Sequence, residues 1–352
     1  MTFTADNWFI TDTHASRQVS PDGEPVQHDI QIRINPISGR SSRITFSRSR
    51  EKEAGADRLP PPPPDARQSA QCPFCRPQVL VRTPRLLPQI HPAGRMTRGQ
   101  SLLFPNLFPY GPFSAVSLFD NDHFVEIGMA DASRYTDCLI NCADYLKRVI
   151  RYDPSAVHMA ITQNHLPSAG GSMVHPHLQV HADRCASNHH RFLDEHTRVF
   201  RKENQRWLLS AYVNHEIKSG DRYIGSTGPW EWMAAFAPEG FFEIWAVCSG
   251  KTSLLGLDHS DWQHLAIGMI RIQRLYRRLH RNGYNFGLLA VETKESALEL
   301  RAVMVVRGNY APWVRSDHTG FEVMLGDMAT FSAPEETALL ARNFWPQRKS
   351  NR

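Results

Sequence analysis

The chain has 352 residues, 41% of them hydrophobic, a length that suits one large domain or two ordinary ones. Its net charge of +5 is a small excess of 40 basic over 35 acidic residues, without a dense basic block, so we expect anionic small molecules rather than nucleic acid as partners. No stretch approaches the run of about 18 uncharged apolar residues that a membrane helix needs. We therefore expect no membrane span.

The six cysteines of so long a chain do not indicate a disulfide scaffold. The N-terminus also lacks a basic region followed by an apolar core, the pattern of a secretory signal. Both features predict a protein of the reducing cytoplasm.

The N-terminal part of the chain is irregular in pattern. Residues 1–28 are polar without a clear period, which predicts an N-terminal extension, and two alternating runs around "NPISGR" predict a hairpin over 28–47. A charged stretch and five consecutive prolines in "LPPPPPDAR" follow. Because proline continues neither a helix nor a central strand, we expect a stiff surface loop before "CPFC".

Two long amphipathic helices are predicted farther along, over 133–153 and over 260–283, the second closing at Gly283. The segments "WEWMAAFAP", "FFEIWAVCS", "NFGLLAVE" and "LRAVMVVR" have the aromatic and β-branched content of strands. The order of strands, one long helix and strands therefore occurs twice. This predicts an α+β fold of two similar halves, residues 29–200 and 201–345.

The segment "HPHLQVH" places His175, His177, Gln179 and His181 at alternate positions. Successive side chains of a strand point to opposite faces, so all four would line one face if the segment is extended. The preceding "SAGGS" offers glycines and the Ser172 hydroxyl, which suit phosphate oxygens. Three histidines on one face beside such a loop indicate a functional site.

The pair Cys72 and Cys75 in "CPFC" leaves three interpretations open: a redox motif, half of a metal site, or chance. The proline loop upstream argues against the strand and helix that a thioredoxin-like redox motif needs. As half of a zinc site the pair needs two histidines, because the chain has no second Cys-x-x-Cys. Cys138 and Cys142, four residues apart on the first long helix, are interpreted as core residues.

Taken in order, these motifs resemble the galactose-1-phosphate uridylyltransferase family, the nucleotidyltransferase branch of the histidine-triad superfamily. The chain's "RINPISGRSSRITFSRSR" resembles the opening hairpin, "CPFC" the zinc knuckle, "FPNLFPY" the nucleoside loop, "NDH" the segment with a third ligand, and "NHLPSAGGSMVHPHLQ" the active-site signature. The match runs from about Arg33 to about Asn343. The resemblance implies two tandem histidine-triad-like halves, each an antiparallel sheet with a long helix, in one compact unit.

The resemblance also implies a site, carried over position by position. One structural Zn²⁺ would bind Cys72, Cys75, His123 and His175. His177 would be the nucleophile that accepts a nucleotidyl group, and Gln179 would hold the phosphoryl oxygens. Contacts are implied to the nucleotide for Asn106 and Asn164, to phosphate for Arg50 and Ser172, and to the sugar for Phe321 and Glu322.

The implied activity is double displacement, moving UMP or another nucleoside monophosphate between a nucleoside diphosphate sugar and a sugar 1-phosphate. A homodimer is expected, as is common in the family. One alternative is a nucleotide phosphorylase with inorganic phosphate as acceptor, acting on an ADP-sugar or a dinucleotide. Another is a zinc-stabilised nucleotide-binding protein without turnover.

The chain departs from the family mainly on the sugar side. Ser316 stands where the family has a lysine, and Arg301 and Val303 replace a His-x-His strand, so one metal is expected. His181 also differs from the aromatic residue typical there. It either contacts the acceptor or is an exposed histidine at a strand end.

Overall fold

The computed structural model describes residues 9–45, 59–61, 66, 68–310 and 316–346, and its strands form two sheets. The larger sheet has ten strands, and every neighbouring pair is antiparallel. In sheet order they are β4 (Met96–Arg98), β5 (Ser101–Pro105), β6 (Phe113–Leu118), β8 (His177–Asp183), β7 (His158–His165), β12 (Gly283–Val291), β13 (Leu300–Arg307), β11 (Phe241–Cys248), β10 (Trp230–Ala234) and β9 (Tyr223–Thr227).

Seven α-helices lie among the described residues. They are α1 (Gln78–Arg82), α2 (Ala132–Tyr152), α3 (Asn188–Asn204), α4 (Leu208–Ser219), α5 (His259–Arg278), α6 (Gly320–Leu325) and α7 (Pro334–Arg342). The two predicted long helices are α2 and α5, and an aspartate caps the N-terminus of each. None of the helices in this part of the chain is both long and apolar enough to cross a membrane.

The predicted end of α5 was wrong. The helix ends at Arg278, and Gly283 instead opens strand β12. His280 adopts a positive φ of 57°, so the chain leaves the helical conformation before it reaches the glycine.

The two halves of the chain repeat one strand order in the large sheet. Five strands in the order β4, β5, β6, β8, β7 meet five in the mirrored order β12, β13, β11, β10, β9. Each half places its long helix between its third and fourth strands, and α2 and α5 pack against each other. The predicted fold of two tandem α+β halves is confirmed. The halves join where β7 pairs with β12, over eight residue pairs from Tyr284 with His165 to Val291 with His158.

The main core lies between the sheet and these two helices. Cys138 and Cys142 are fully buried in it, which confirms their interpretation as core residues. Trp230 and Trp232 are also buried there, so these aromatic side chains fill the second half rather than line a surface.

The smaller sheet has the order β1 (Ile10–Val19), β2 (Pro25–Ile34), β3 (Ser41–Thr45) and β14 (Met328–Thr330). The predicted hairpin is the antiparallel pair β2 and β3. The predicted N-terminal extension contains strand β1, which was not predicted from the sequence and which pairs with β2 over ten residues. Most side chains of β1 are exposed, so the strand carries no hydrophobic period that could reveal it. The division of the chain at 28 and 200 stays a prediction.

Tight packing at Gly268 of α5 allows a direct test of this core. A Cβ atom there would lie 2.0 Å from Cζ2 of Trp232, whose indole N–H donates to Thr227 Oγ1 at 2.7 Å. We expect Gly268→Ala to lower the free energy of unfolding by about 1–3 kcal/mol, despite alanine's better helix propensity. Urea denaturation measures this change.

Gly320→Ala is the matched control, because a Cβ atom at that position would meet nothing within 4 Å. We expect its free energy of unfolding to stay within about 0.5 kcal/mol of the wild-type value. Equal stability of the two variants would show that α5 and β10 do not pack as tightly as described.

Candidate active site and metal centre

The polar segment that the sequence singled out lies on β8 and just before it. His177, Gln179 and His181 alternate on one face of the strand, and Leu178 and Val180 are buried in the core on the other. His175 precedes β8 in a bend, so the predicted row of four on one strand is three residues plus a histidine at its entrance. The pairing with β6 begins only at His177, opposite Leu118, which leaves His175 free to turn elsewhere.

The loop before this strand is tightly folded. Leu166 adopts φ 72° and ψ 162°, a conformation that non-glycine residues rarely take, and Gly170 follows with φ 86°. Gly171 packs so closely that a Cβ atom would lie 2.8 Å from the Asn164 carbonyl oxygen. Ser172 is exposed at the end of this loop. Such backbone strain is common at functional sites.

Four side chains from three separate segments come together beside the loop. One ligand atom from each of Cys72, Cys75, His123 and His175 lies within 4.8 Å of all the others. Cys75 Sγ is 3.4 Å from Nδ1 of both His123 and His175. Two thiols and two imidazoles match a tetrahedral Cys₂His₂ set, so this group could hold a metal ion.

The second nitrogen of His175 orients that imidazole toward the centre. His175 is fully buried, and its Nε2–H donates to the carbonyl of Asp120 at 3.1 Å, because a carbonyl can only accept. Nδ1 therefore turns its lone pair toward Cys75. Burial is the main cause that lowers the pKa of His175 to about 4, so the imidazole is neutral and suited to a cation.

The thiols also favour a bound cation. Burial, and then the neighbouring Cys72, raise the pKa of Cys75 to about 12. A positive ion in contact with the sulfurs would offset that cost and favour the thiolates. The donor set, its geometry and its electrostatics thus fit a metal site.

Phe74, which no sequence pattern indicated, connects the candidate metal centre to His177. Its ring meets the His177 imidazole edge to face at 5.4 Å between centroids, and it packs on Phe104 at the same distance. The segment that carries it rests on a small apolar cluster made of Val79, Leu102, Phe104, Val116 and Leu118. The available signal was its position between the two cysteines of "CPFC".

His177 is held in one tautomer. The residue is 7% exposed, and its Nδ1–H donates to the His175 carbonyl at 2.8 Å. Nε2 therefore keeps its lone pair. Burial lowers the pKa of His177, whereas this hydrogen bond raises it.

Two amides stand beside His177 on the same side of the sheet. Asn164 Nδ2 donates to Gln179 Oε1 at 3.5 Å, and Asn164 Oδ1 accepts from Asn285 Nδ2 at 2.7 Å. Arg307 in turn donates to Asn285 Oδ1 at 2.7 Å. Asn285 and Arg307 belong to the second half and have no local motif around them, so neither was predicted from the sequence.

The other predicted site residues are more dispersed. Arg50 lies outside the described residues. Asn106 follows β5, and its Oδ1 accepts from the Phe108 backbone N–H. Phe321 and Glu322 lie on α6, where Arg43 sits over the Phe321 ring and Glu322 caps the helix through Thr319.

Comparisons with known proteins add to this geometry. No protein-family model matches the chain. An uncharacterized protein of Archaeoglobus fulgidus is 27% identical over 329 residues, covering 92% of this chain and 95% of that protein.

Two solved structures have a similar fold. An ADP-glucose phosphorylase from Arabidopsis thaliana with bound ADP-glucose matches with a TM-score of 0.69 at 19% identity, covering 89% of this chain and 98% of that one. A uridylyltransferase matches with a TM-score of 0.62 at 17% identity, also over 89% and 98%. The chain therefore has the fold of these nucleotide-handling enzymes, and the resemblance that its motifs indicate is confirmed at the level of the fold.

Proposed function

We propose that this protein is a nucleotidyltransferase that works by double displacement through a covalent nucleotidyl-histidine. His177 takes a nucleoside monophosphate, UMP by the family resemblance, from a nucleoside diphosphate sugar and passes it to a sugar 1-phosphate. The observation that carries the proposal is the 2.8 Å hydrogen bond from His177 Nδ1–H to the His175 carbonyl. It leaves a free lone pair on Nε2, the atom that must attack phosphorus.

The proposed reaction consists of two displacements at the same phosphorus. In the first, a bond forms between His177 Nε2 and the α-phosphorus, and the bond from that phosphorus to the bridging oxygen breaks, so the sugar 1-phosphate leaves with the electron pair. In the second, a phosphate oxygen of the acceptor attacks the same phosphorus and the N–P bond breaks. The His175 carbonyl stabilises the positive charge of the nucleotidylated ring through Nδ1–H.

Gln179 suits a transferase rather than a hydrolase. A phosphate leaving group has a second pKa near about 6, so it needs no proton from the enzyme. A neutral amide cannot relay protons to or from water, but its N–H₂ group can donate to phosphoryl oxygens. The intermediate should therefore wait for an acceptor phosphate. Asn164 and the exposed Ser172 hydroxyl are assigned to the nucleotide and its phosphates.

The nucleoside is assigned to the loop "FPNLFPY" with Asn106. Phe108 and Tyr110 of this loop are 76% and 92% exposed, so their rings are available for stacking on a base. Phe321 and Glu322 are assigned to the sugar, Arg50 to phosphate, and His181, on the face of β8 that carries His177, to the acceptor. A homodimer stays a prediction.

We assign zinc to Cys72, Cys75, His123 and His175, since thiolate and imidazole ligands suit this ion. Its contribution is structural: it would fix the segment that carries Phe74 and the bend at His175. Phe74 then packs on His177 and excludes water from one side of the ring. The carbonyl that orients His177 belongs to one of the metal-binding residues.

A phosphorylase is the second candidate. Ser316 replaces the lysine that the resemblance places on the sugar side, so a smaller acceptor such as inorganic phosphate would suit the site. The similar structure with bound ADP-glucose is itself a phosphorylase. Both candidates share the first step and differ in the acceptor.

Covalent nucleotidylation is the first prediction. Wild-type protein incubated with a panel of nucleoside diphosphate sugars should gain the mass of one nucleoside monophosphate in intact mass spectrometry. His177→Gly should gain none, because the attacking nitrogen is gone. If no donor yields an adduct on the wild type, double displacement is wrong and the zinc-stabilised nucleotide-binding protein becomes the better interpretation.

The acceptor is tested on the isolated adduct. We expect a hexose 1-phosphate to remove the nucleotidyl group and to give a nucleoside diphosphate hexose, detected by chromatography. Removal by inorganic phosphate alone, with release of a nucleoside diphosphate, would contradict the transferase and establish the phosphorylase.

Metal content gives a further prediction. We expect one zinc per wild-type chain by elemental analysis and none in Cys75→Ser, with a lower midpoint of thermal unfolding, since structural zinc contributes roughly 10–16 kcal/mol. Cys185→Ser is the control, because Cys185 is an exposed free cysteine outside the cluster, and it should keep its zinc. Retention of zinc by Cys75→Ser would rule out the assigned ligand set.

A further inference from the structure

A row of hydrogen-bonded side chains crosses the junction between the two halves and ends at Gln179. Arg307 donates through Nε and Nη2 to both carboxylate oxygens of Asp317, at 2.6 and 2.9 Å, and through Nη1 to Asn285 Oδ1 at 2.7 Å. Asn285 Nδ2 donates to Asn164 Oδ1 at 2.7 Å, and Asn164 Nδ2 lies 3.5 Å from Gln179 Oε1. Asn164 and Asn285 are direct partners in the pairing of β7 with β12.

The direction of every amide in this row follows from Arg307. A guanidinium only donates hydrogen bonds, so Asn285 must turn its oxygen toward Arg307 and its N–H₂ toward Asn164. Asn164 must then accept with its oxygen and donate with its N–H₂ toward Gln179. Gln179 accepts with Oε1, which leaves its own N–H₂ group facing away from the row.

Further hydrogen bonds hold the row in place at Asp317 and at Asn285. Asp317 accepts from Arg307 and from the Gly308 backbone N–H, and its side chain is only 12% exposed. Asn285 Nδ2 also donates to the Ala169 carbonyl at 2.8 Å, inside the tight loop before His177. Because a carbonyl only accepts, this contact fixes the same amide orientation independently of Arg307.

We infer that Asn285 and Arg307 are positioning residues that orient the Gln179 amide, so that its N–H₂ group donates to the phosphoryl oxygens of the transferred nucleotide. The inference rests on the proposed function, which assigns those oxygens to Gln179. The row also connects Gln179 to Asp317, one residue after Ser316. The second half of the chain therefore fixes the orientation of the amides in the site of the first half.

Asn285→Asp tests the direction of the row. The new side chain has the same shape but accepts on both oxygens, so Asn164 must turn its N–H₂ toward it and its oxygen toward Gln179. Gln179 then turns its N–H₂ inward and its oxygen toward the phosphoryl group. We expect the single-turnover rate of nucleotidylation to fall roughly 100-fold, the usual scale for losing one donor to a developing anion.

Asn285→Ala is the comparison, because it interrupts the row without reversing it. We expect it to slow nucleotidylation about tenfold, less than the isosteric aspartate does. The aspartate would also face the Ala169 carbonyl, to which Asn285 Nδ2 now donates at 2.8 Å, so the midpoint of thermal unfolding is measured beside the rate. A purely structural role predicts that both rates fall in step with the loss of stability, and that result would overturn the inference. Equal rates for wild type and Asn285→Asp would also overturn the inference.

Two controls separate orientation from other effects. A new negative charge would weaken binding of the anionic substrate, and this effect would become smaller as salt rises from about 0.05 to about 0.5 M. A reversed amide, by contrast, lowers the rate at saturating substrate at every salt concentration. A loss that disappears at high salt would contradict the inference. Asn204→Asp, at the end of α3 where the amide donates to the Phe200 carbonyl, should leave the rate unchanged.

The orientation can be read without turnover. In protein labelled with ¹⁵N-asparagine, the side-chain amide signals of Asn164 should shift in Asn285→Asp, because their acceptor changes. Unchanged Asn164 signals would refute the row, even in a protein that forms the adduct. Absence of an adduct in the wild type, with the Asn164 shift present, would instead refute the proposed function and leave the row intact.

Discussion

The antiparallel pairing of β7 with β12 holds the two halves of the chain together. It joins two five-stranded halves into one ten-stranded sheet and brings α2 and α5 together over a shared core. Because side chains alternate along a strand, the register of this pair decides which polar groups of the two halves meet. It places Asn285 opposite Asn164, so that each half contributes to the surroundings of His177.

The candidate metal centre also contacts His177. Its proposed ligands come from three chain segments, of which the first and last are about 100 residues apart, and Phe74 and the His175 carbonyl extend from it to His177. One contact limits the ring's movement, and the other selects its tautomer. A nucleophilic imidazole needs both, since the attacking nitrogen must carry a lone pair and lie in line with the breaking bond.

The direction of hydrogen bonds is fixed in a similar way at His177 and in the row from Arg307 to Gln179. The carbonyl beside His177 can only accept a hydrogen bond, and the guanidinium beside Asn285 can only donate one. Each therefore fixes the orientation of an imidazole or amide that could otherwise take two orientations. The direction is held most firmly at His177 and His175, which are buried, because an unpaired polar group there would be unfavourable. This arrangement also fits the proposed transfer between phosphates, in which hydrogen-bond donors matter more than proton carriers.

Local spacing along the chain was enough to predict features that lie within one helix or strand. The alternation of His177, Gln179 and His181 placed them on one face of a strand, and the periodicity of α2 and α5 predicted two repeated halves. The resemblance of short motifs indicated the ligand set around "CPFC". Features that depend on contacts between distant segments were found only in the folded chain. They are strand β1, the edge contact of Phe74, and the row from Arg307 to Gln179, in which Asn285 and Asn164 are 121 residues apart. Spacing fixes the face on which a side chain lies, but the register between strands so far apart is set by packing of the whole core, which no local pattern encodes.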